Sequence, residues 1–102
     1  MSNWVRIATV DDCPPGNALE CVAGGRIVAL FNVDGAYYAL DGICPHQGGP
    51  LGKGTLADCV VTCPWHGFQF DVRTGRNVSN PAIVHGAFDV KVEGGNVLVD
   101  VE

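Results

Sequence analysis

The sequence has no long apolar run. None approaches the roughly 18–20 residues that a bilayer-spanning helix needs, so no membrane span is expected. The first sixteen residues, MSNWVRIATVDDCPPG, lack the basic start and apolar stretch of a secretory leader, and a cytoplasmic location is expected. Basic residues are few. Six Lys and Arg stand against eleven Asp and Glu, a formal net charge of −5, which argues against nucleic acid or an anionic membrane as partner. Charged residues are scarce at 17 % while apolar residues reach 47 %, a balance that excludes disorder and suits a globular chain. Helix formers are concentrated nowhere. A paired set of cysteines is missing as well: there are five, Cys13, Cys21, Cys44, Cys59 and Cys63. An odd number in a reducing compartment speaks against a disulfide framework and for metal binding.

What the chain does have is strand and turn. Its 102 residues suit one domain, 1–102, with a modest core. Val5–Thr9 reads as a first strand, followed by the loop DDCPPGN. Ala18–Val22 and Arg26–Val33 form a hairpin, and Asp34-Gly35 turns the chain into AYYAL. A short hairpin is expected over Thr55–Thr62 around Ala57-Asp58, then a strand over Phe68–Val72 ending at Thr74-Gly75. Ala87–Glu93 and Asn96–Val101 alternate cleanly about Gly94-Gly95. Nine or ten short strands with tight turns and no convincing helix predict an all-β fold, an antiparallel β-sandwich or barrel. No internal repeat or linker interrupts it.

Two stretches break the pattern. DGICPHQGGPLGKG (41–54) is turn-rich and aperiodic, and CPWHG (63–67) interrupts the strands again. Each loop carries one cysteine and one histidine: Cys44 and His46 in the first, Cys63 and His66 in the second. The pattern is C-x-H, sixteen residues, C-x-x-H, and the hairpin between the loops would return both to one end of the domain. Two thiolates and two imidazoles form a metal site. Structural zinc is chemically possible, but zinc knuckles pair like ligands with two to four residues between cysteines. An all-cysteine plant-type cluster needs spacings that this chain lacks, and mononuclear non-haem iron wants a carboxylate. A [2Fe–2S] cluster with two imidazoles in place of two thiolates on one iron fits the donor set.

Here the sequence resembles a known family. CPHQGGPLGKG and CPWHGFQFDVRTG look like the loops of a Rieske-type [2Fe–2S] protein, in particular a small soluble ferredoxin of oxygenase systems, and the resemblance covers most of the chain. It implies a cluster-binding subdomain, loops about 43–54 and 63–68, inserted in the antiparallel sandwich. It implies that Cys44 and Cys63 bind one iron and His46 and His66 the other. Gly48, Gly49 and Gly67 would let backbone N–H groups approach the sulfides, and Asn80-Pro81 would form a third, covering loop. The implied function is one-electron transfer from a flavin reductase to a terminal oxygenase, in most such systems an aromatic-ring dioxygenase. The chain would be a monomeric electron-transfer component rather than an enzyme. The alternative is a small Rieske-type subunit of a nitrite reductase-like complex. High-potential relatives carry a further cysteine in each loop, joined as a disulfide; Gly49 and Trp65 stand there. Such relatives also place Ser and Tyr hydroxyls near sulfur where this chain has Phe68 and Phe70.

The remaining residues of chemical interest read more plainly. Trp65 is expected as a partly exposed cap over the cluster. Cys21 and Cys59 read as small core residues on strands, Cys13 as a free surface thiol and His85 as an ordinary strand-end residue. Lys53, Arg73 and Arg76 read as solvated surface charge, and Tyr37, Tyr38, Phe68 and Phe70 as packing. Hydrogen bonds to sulfur stabilise the reduced, more negative state, so their loss lowers the potential. Phe68→Ser and Phe70→Tyr are each expected to raise it, as read by voltammetry on fully assembled variants; no rise in either would refute this account of tuning.

Overall fold

The computed structural model describes residues 3–43, 50–65 and 67–101. Within them ten strands form three antiparallel sheets. The first joins the two ends of the chain: β1 (Trp4–Thr9) pairs with β10 (Asn96–Asp100), which pairs with β9 (Val90–Glu93). The second runs in the order β2 (Ala18–Ala23), β3 (Arg26–Val33), β4 (Ala36–Asp41) and β8 (Ala87–Phe88). The third is a small meander of β5 (Thr55–Ala57), β6 (Val60–Thr62) and β7 (Gln69–Asp71). Two single 3-10 turns, Val10–Asp12 and Leu51–Lys53, complete the regular structure. Among the described residues no helix is long and apolar enough to cross a membrane.

The second sheet lies between the other two, and β3 shows it residue by residue. Val28, Ala29, Leu30 and Phe31 are all fully buried. Alternate residues of a strand face opposite ways. Val28 and Leu30 pack towards the first sheet with Val99 and Val97, whereas Ala29 and Phe31 join Val61 and Phe70 of the small meander, Val72 just beyond it and Leu51 of the second 3-10 turn. A strand buried on both faces has no reason to alternate, and RIVALFNV does not. Each fully buried Leu, Val or Phe contributes about 1.5–3 kcal/mol, so this strand anchors both cores.

Turn chemistry sets the register. Asp34 and Gly35 have φ of 52° and 92°, the left-handed pair that a two-residue hairpin needs. Asp tolerates that region better than most side chains, and Gly pays nothing there. The hairpin expected around Ala57-Asp58 turns instead at Asp58-Cys59, since Ala57 pairs with Val60. Cys59 is therefore half-buried in a turn rather than on a strand. The single strand expected over Ala87–Glu93 is two: β8 pairs with β4 and β9 with β10. The break falls at the exposed Asp89, whose carbonyl accepts the N–H of Asp100 at 3.0 Å. Alternation runs unbroken across the switch of sheets, which is why periodicity could not reveal it.

Cys13 also departs from expectation. It is fully buried in the core that holds Cys21, Leu30 and Val97. Its loop is pulled inward by polar contacts. The Asn32 amide donates to the Cys13 carbonyl at 2.8 Å, and the Tyr37 hydroxyl lies 3.1 Å and 3.3 Å from the carbonyls of Val10 and Cys13. The Cys13 thiol donates to the Asn17 carbonyl at 3.4 Å. Burial pushes the Cys13 thiol up from its ordinary range and pushes Cys21 up to about 11. Both should resist iodoacetamide in the native protein, because the thiolate is the nucleophile. Peptide mapping should find Cys59 modified well before either, and native labelling of Cys13 would contradict the burial. The unfolded chain releases the Cys21 proton at lower pH than the folded one. Stability should therefore fall as pH rises from about 9 to about 11, by up to ~2–3 kcal/mol, and Cys21→Val should remove that loss in alkaline urea titrations.

Candidate metal centre

Of the four predicted ligands, Cys63 lies among the described residues; Cys44, His46 and His66 lie outside them. Cys63 follows β6 directly and is 1 % exposed. Its N–H donates to the Phe68 carbonyl at 2.7 Å. That bond closes a tight loop over 63–68, standing on the Thr62–Gln69 pair of β6 and β7. The chain turns back at Gly67, whose φ of 70° suits glycine. Trp65 at the tip is 50 % exposed, in keeping with a partly exposed residue.

The first loop is held at its base in the same manner. β4 ends at Asp41, and the Gly42 N–H donates to the Ile27 carbonyl at 2.9 Å. Ile43 bridges to Pro50 and the Leu51 N–H returns to the Gly42 carbonyl at 3.0 Å. The chain on either side of the first loop, at Ile43 and Pro50, thus runs side by side. Leu51 then packs with Cys63, Val61 and Phe70 in one core, so the stems of both loops meet. Gly54 lies so close to Thr62 that a Cβ would strike the Thr62 carbonyl, which keeps the first loop's exit flat against β6.

A third loop lies beside the second. Its base is the bridge between Phe70 and Asn77, and the Val78 N–H donates to the Gln69 carbonyl at 2.9 Å. Asn77 is 6 % exposed, and its Oδ1 accepts the N–H groups of Ser79 and Asn80 at 3.0 and 2.9 Å. This side-chain turn places Ser79 and Asn80 across a cleft of about 230 Å³ from Gly67 and Phe68. Arg76 reaches the Pro81 carbonyl at 3.1 Å. Arg73 is not simply solvated. Its guanidinium donates twice to Asp71, at 3.1 and 2.8 Å, and holds that carboxyl below the usual carboxylate range.

His85 is the residue that sequence reading missed. It is 7 % exposed, its Nε2 lies 2.7 Å from the Asp41 carbonyl, and its ring centroid is 5.5 Å from that of Phe70. The bond spans 44 residues, so no local signal announces it. Phe70 itself is fully buried and Phe68 partly so; both back the second loop as packing residues.

The donor set decides the chemistry that the site can hold. Two soft thiolates with two imidazoles suit iron–sulfur ligation, and a buried cysteine at the root of a tight loop fits it. Among the described residues alone, no three His, Cys, Asp or Glu side chains converge, so a centre here also requires the residues of 44–49 and 66.

Comparison with known proteins agrees. The Rieske [2Fe-2S] domain model matches residues 3–94. The ferredoxin component of naphthalene 1,2-dioxygenase/salicylate 5-hydroxylase systems from a Ralstonia species is 33 % identical, over 98 % of this chain and 97 % of that protein. The ferredoxin component of biphenyl 2,3-dioxygenase from Rhodococcus jostii is 39 % identical, over 95 % and 92 %. A chain of the solved complex of reduced oxygenase and oxidised ferredoxin of carbazole 1,9a-dioxygenase superposes with a TM-score of 0.86 at 34 % identity, over 97 % and 94 %. A nitrite reductase small subunit from Mycobacterium tuberculosis shares the fold, with a TM-score of 0.88 at 22 % identity, over 97 % and 95 %. An all-β scaffold with these loops is that of an iron–sulfur electron-transfer protein. More particularly, this chain belongs to the Rieske [2Fe–2S] domain family, and its cofactor is the [2Fe–2S] cluster of that family.

The buried Asn77 oxygen organises the third loop, which gives a direct test. Asn77→Ala should cost about 1–3 kcal/mol through the lost acceptor, whereas Asn77→Asp keeps the oxygen and should cost less. Urea unfolding of the two variants measures the difference.

Proposed function

We propose that this chain is a one-electron carrier whose cluster is held by Cys44 and Cys63 on one iron and by His46 and His66 on the other. The observation that carries this reading is Cys63: a buried cysteine at the mouth of a closed loop, sharing its core with Leu51 at the exit of the other loop. Shared stems support the convergence of the two loops at one tip. When bound, the cluster takes up one electron and gives it up again. The chain's own residues supply the setting. Burial of Cys63 keeps water from its side of the site, and Phe68 and Phe70 offer no hydroxyl to sulfur. The potential therefore belongs near the low end of the Rieske range, about −150 mV.

The donor in this reading is a flavin reductase and the acceptor a terminal oxygenase of an aromatic-ring dioxygenase system. Relatives above 30 % identity carry ferredoxin names from aromatic dioxygenase systems and in one case from an alkene monooxygenase system, and they favour a carrier that serves an oxygenase. A nitrite reductase-like small subunit has only the shared fold behind it. The imidazole edges of His46 and His66 are the expected electron exit.

The reduced holoprotein should give an electron-spin spectrum with mean g below two. Cys63→Ala and His66→Ala should each lose the visible absorbance, and Cys59→Ala should keep it. A colourless protein that retains zinc, or ligand variants with full absorbance, would overturn the ligand set. Reduction by a flavin reductase with NADH, followed by reoxidation by an oxygenase, separates a carrier from a fixed subunit.

A further inference from the structure

We propose that His85 is a positioning residue that ties the two cluster loops together from behind. β8 pairs with β4 through only two positions, Ala39–Phe88 and Leu40–Ala87. Beyond them the Asp41 N–H still finds the Gly86 carbonyl, at 2.8 Å. The Asp41 carbonyl instead takes the His85 side chain, 2.7 Å away. A carbonyl partly withdrawn from water needs a donor, and the imidazole N–H supplies it where the ladder stops. Because the partner is a carbonyl, which only accepts, Nε2 carries the proton.

The other side of His85 belongs to the second loop's support. Its ring packs on Phe70 of β7. Its backbone N–H donates to the Gly75 carbonyl at 2.6 Å, and the Gly75 N–H donates to the Asp71 carbonyl at 2.7 Å. Gly75 has φ of 79°, and any Cβ there would strike the His85 carbonyl. His85 is thus fixed to the strand that descends from the second loop. With its imidazole it reaches the strand end that enters the first, three residues before Cys44. This function rests on the ligand reading above, because holding two loops in register matters to a cluster only if both loops hold it.

The test compares His85→Phe, which keeps the ring against Phe70 but has no donor, with His85→Gln, whose amide restores one. His85→Met takes the place of the Phe variant should that not fold. Two measurements are made on holoprotein: loss of visible absorbance in excess chelator, and hydrogen exchange by mass spectrometry. Without the donor, peptides over 41–51 and 63–70 should exchange about fivefold faster, the factor matching ~1 kcal/mol for a part-buried carbonyl that has lost its donor. Cluster loss should accelerate by a similar factor, β1 and β10 should stay unchanged, and the Gln variant should lie within about twofold of the parent. The proposal falls if the donorless variant matches the parent, if exchange quickens equally in β1 and β10, or if Gln restores nothing. Failure of the ligand reading looks different: faster exchange in both loop stems with an unchanged rate of cluster loss, alongside Cys63→Ala that keeps its absorbance.

Discussion

Everything at the cluster end depends on β3 being buried on both faces. With Val28 and Leu30 turned to one sheet and Ala29 and Phe31 to the other, one strand serves two cores. The first core, closed by the pairing of β1 with β10, is an ordinary sandwich. The second has only three strands of three residues each, too little to stand alone. It acquires its stability from Phe31, Ala29 and Leu40 beneath it. The second loop is therefore mounted on a small sheet that is itself mounted on the sandwich, whereas the first leaves the sandwich at the end of β4.

The loops at this end are held at their bases. The devices at the bases are mostly backbone bonds: Leu51 to Gly42, Cys63 to Phe68, Val78 to Gln69. Side chains intervene where the ladders run out, as Asn77 does in the third loop and His85 does behind the first two. Two of the three other thiols are kept apart from this region. Cys13 and Cys21 lie in the sandwich core, and burial holds them protonated; a protonated thiol is a poor metal ligand.

Much of this architecture was legible in the chain. Hairpin turns announced themselves because Asp34-Gly35, Gly24-Gly25 and Gly94-Gly95 adopt positive φ, a conformation that few other residue pairs accept. The family was legible because four candidate ligands of unusual type fall in two short loops. What escaped notice shares one cause. Cys13 reads as exposed because its neighbours are Pro, Gly and Asp, yet Asn32 and Tyr37 draw its carbonyl inward from strands about twenty residues away. His85 reads as ordinary because its partner is a carbonyl 44 residues earlier. Ala87–Glu93 reads as one strand because a change of pairing partner leaves the alternation intact.

By itself, then, the sequence determined the all-β class, nearly every strand and the kind of metal centre, since these follow from local φ preferences, period-two patterning and donor chemistry carried by the residues themselves. Tertiary structure alone decided which sheet each strand joined, which cysteines were sealed away and which histidine became a strut between loop stems. Those outcomes depend on unpaired backbone groups at the ends of ladders, and such groups come into being only when distant strands have already met.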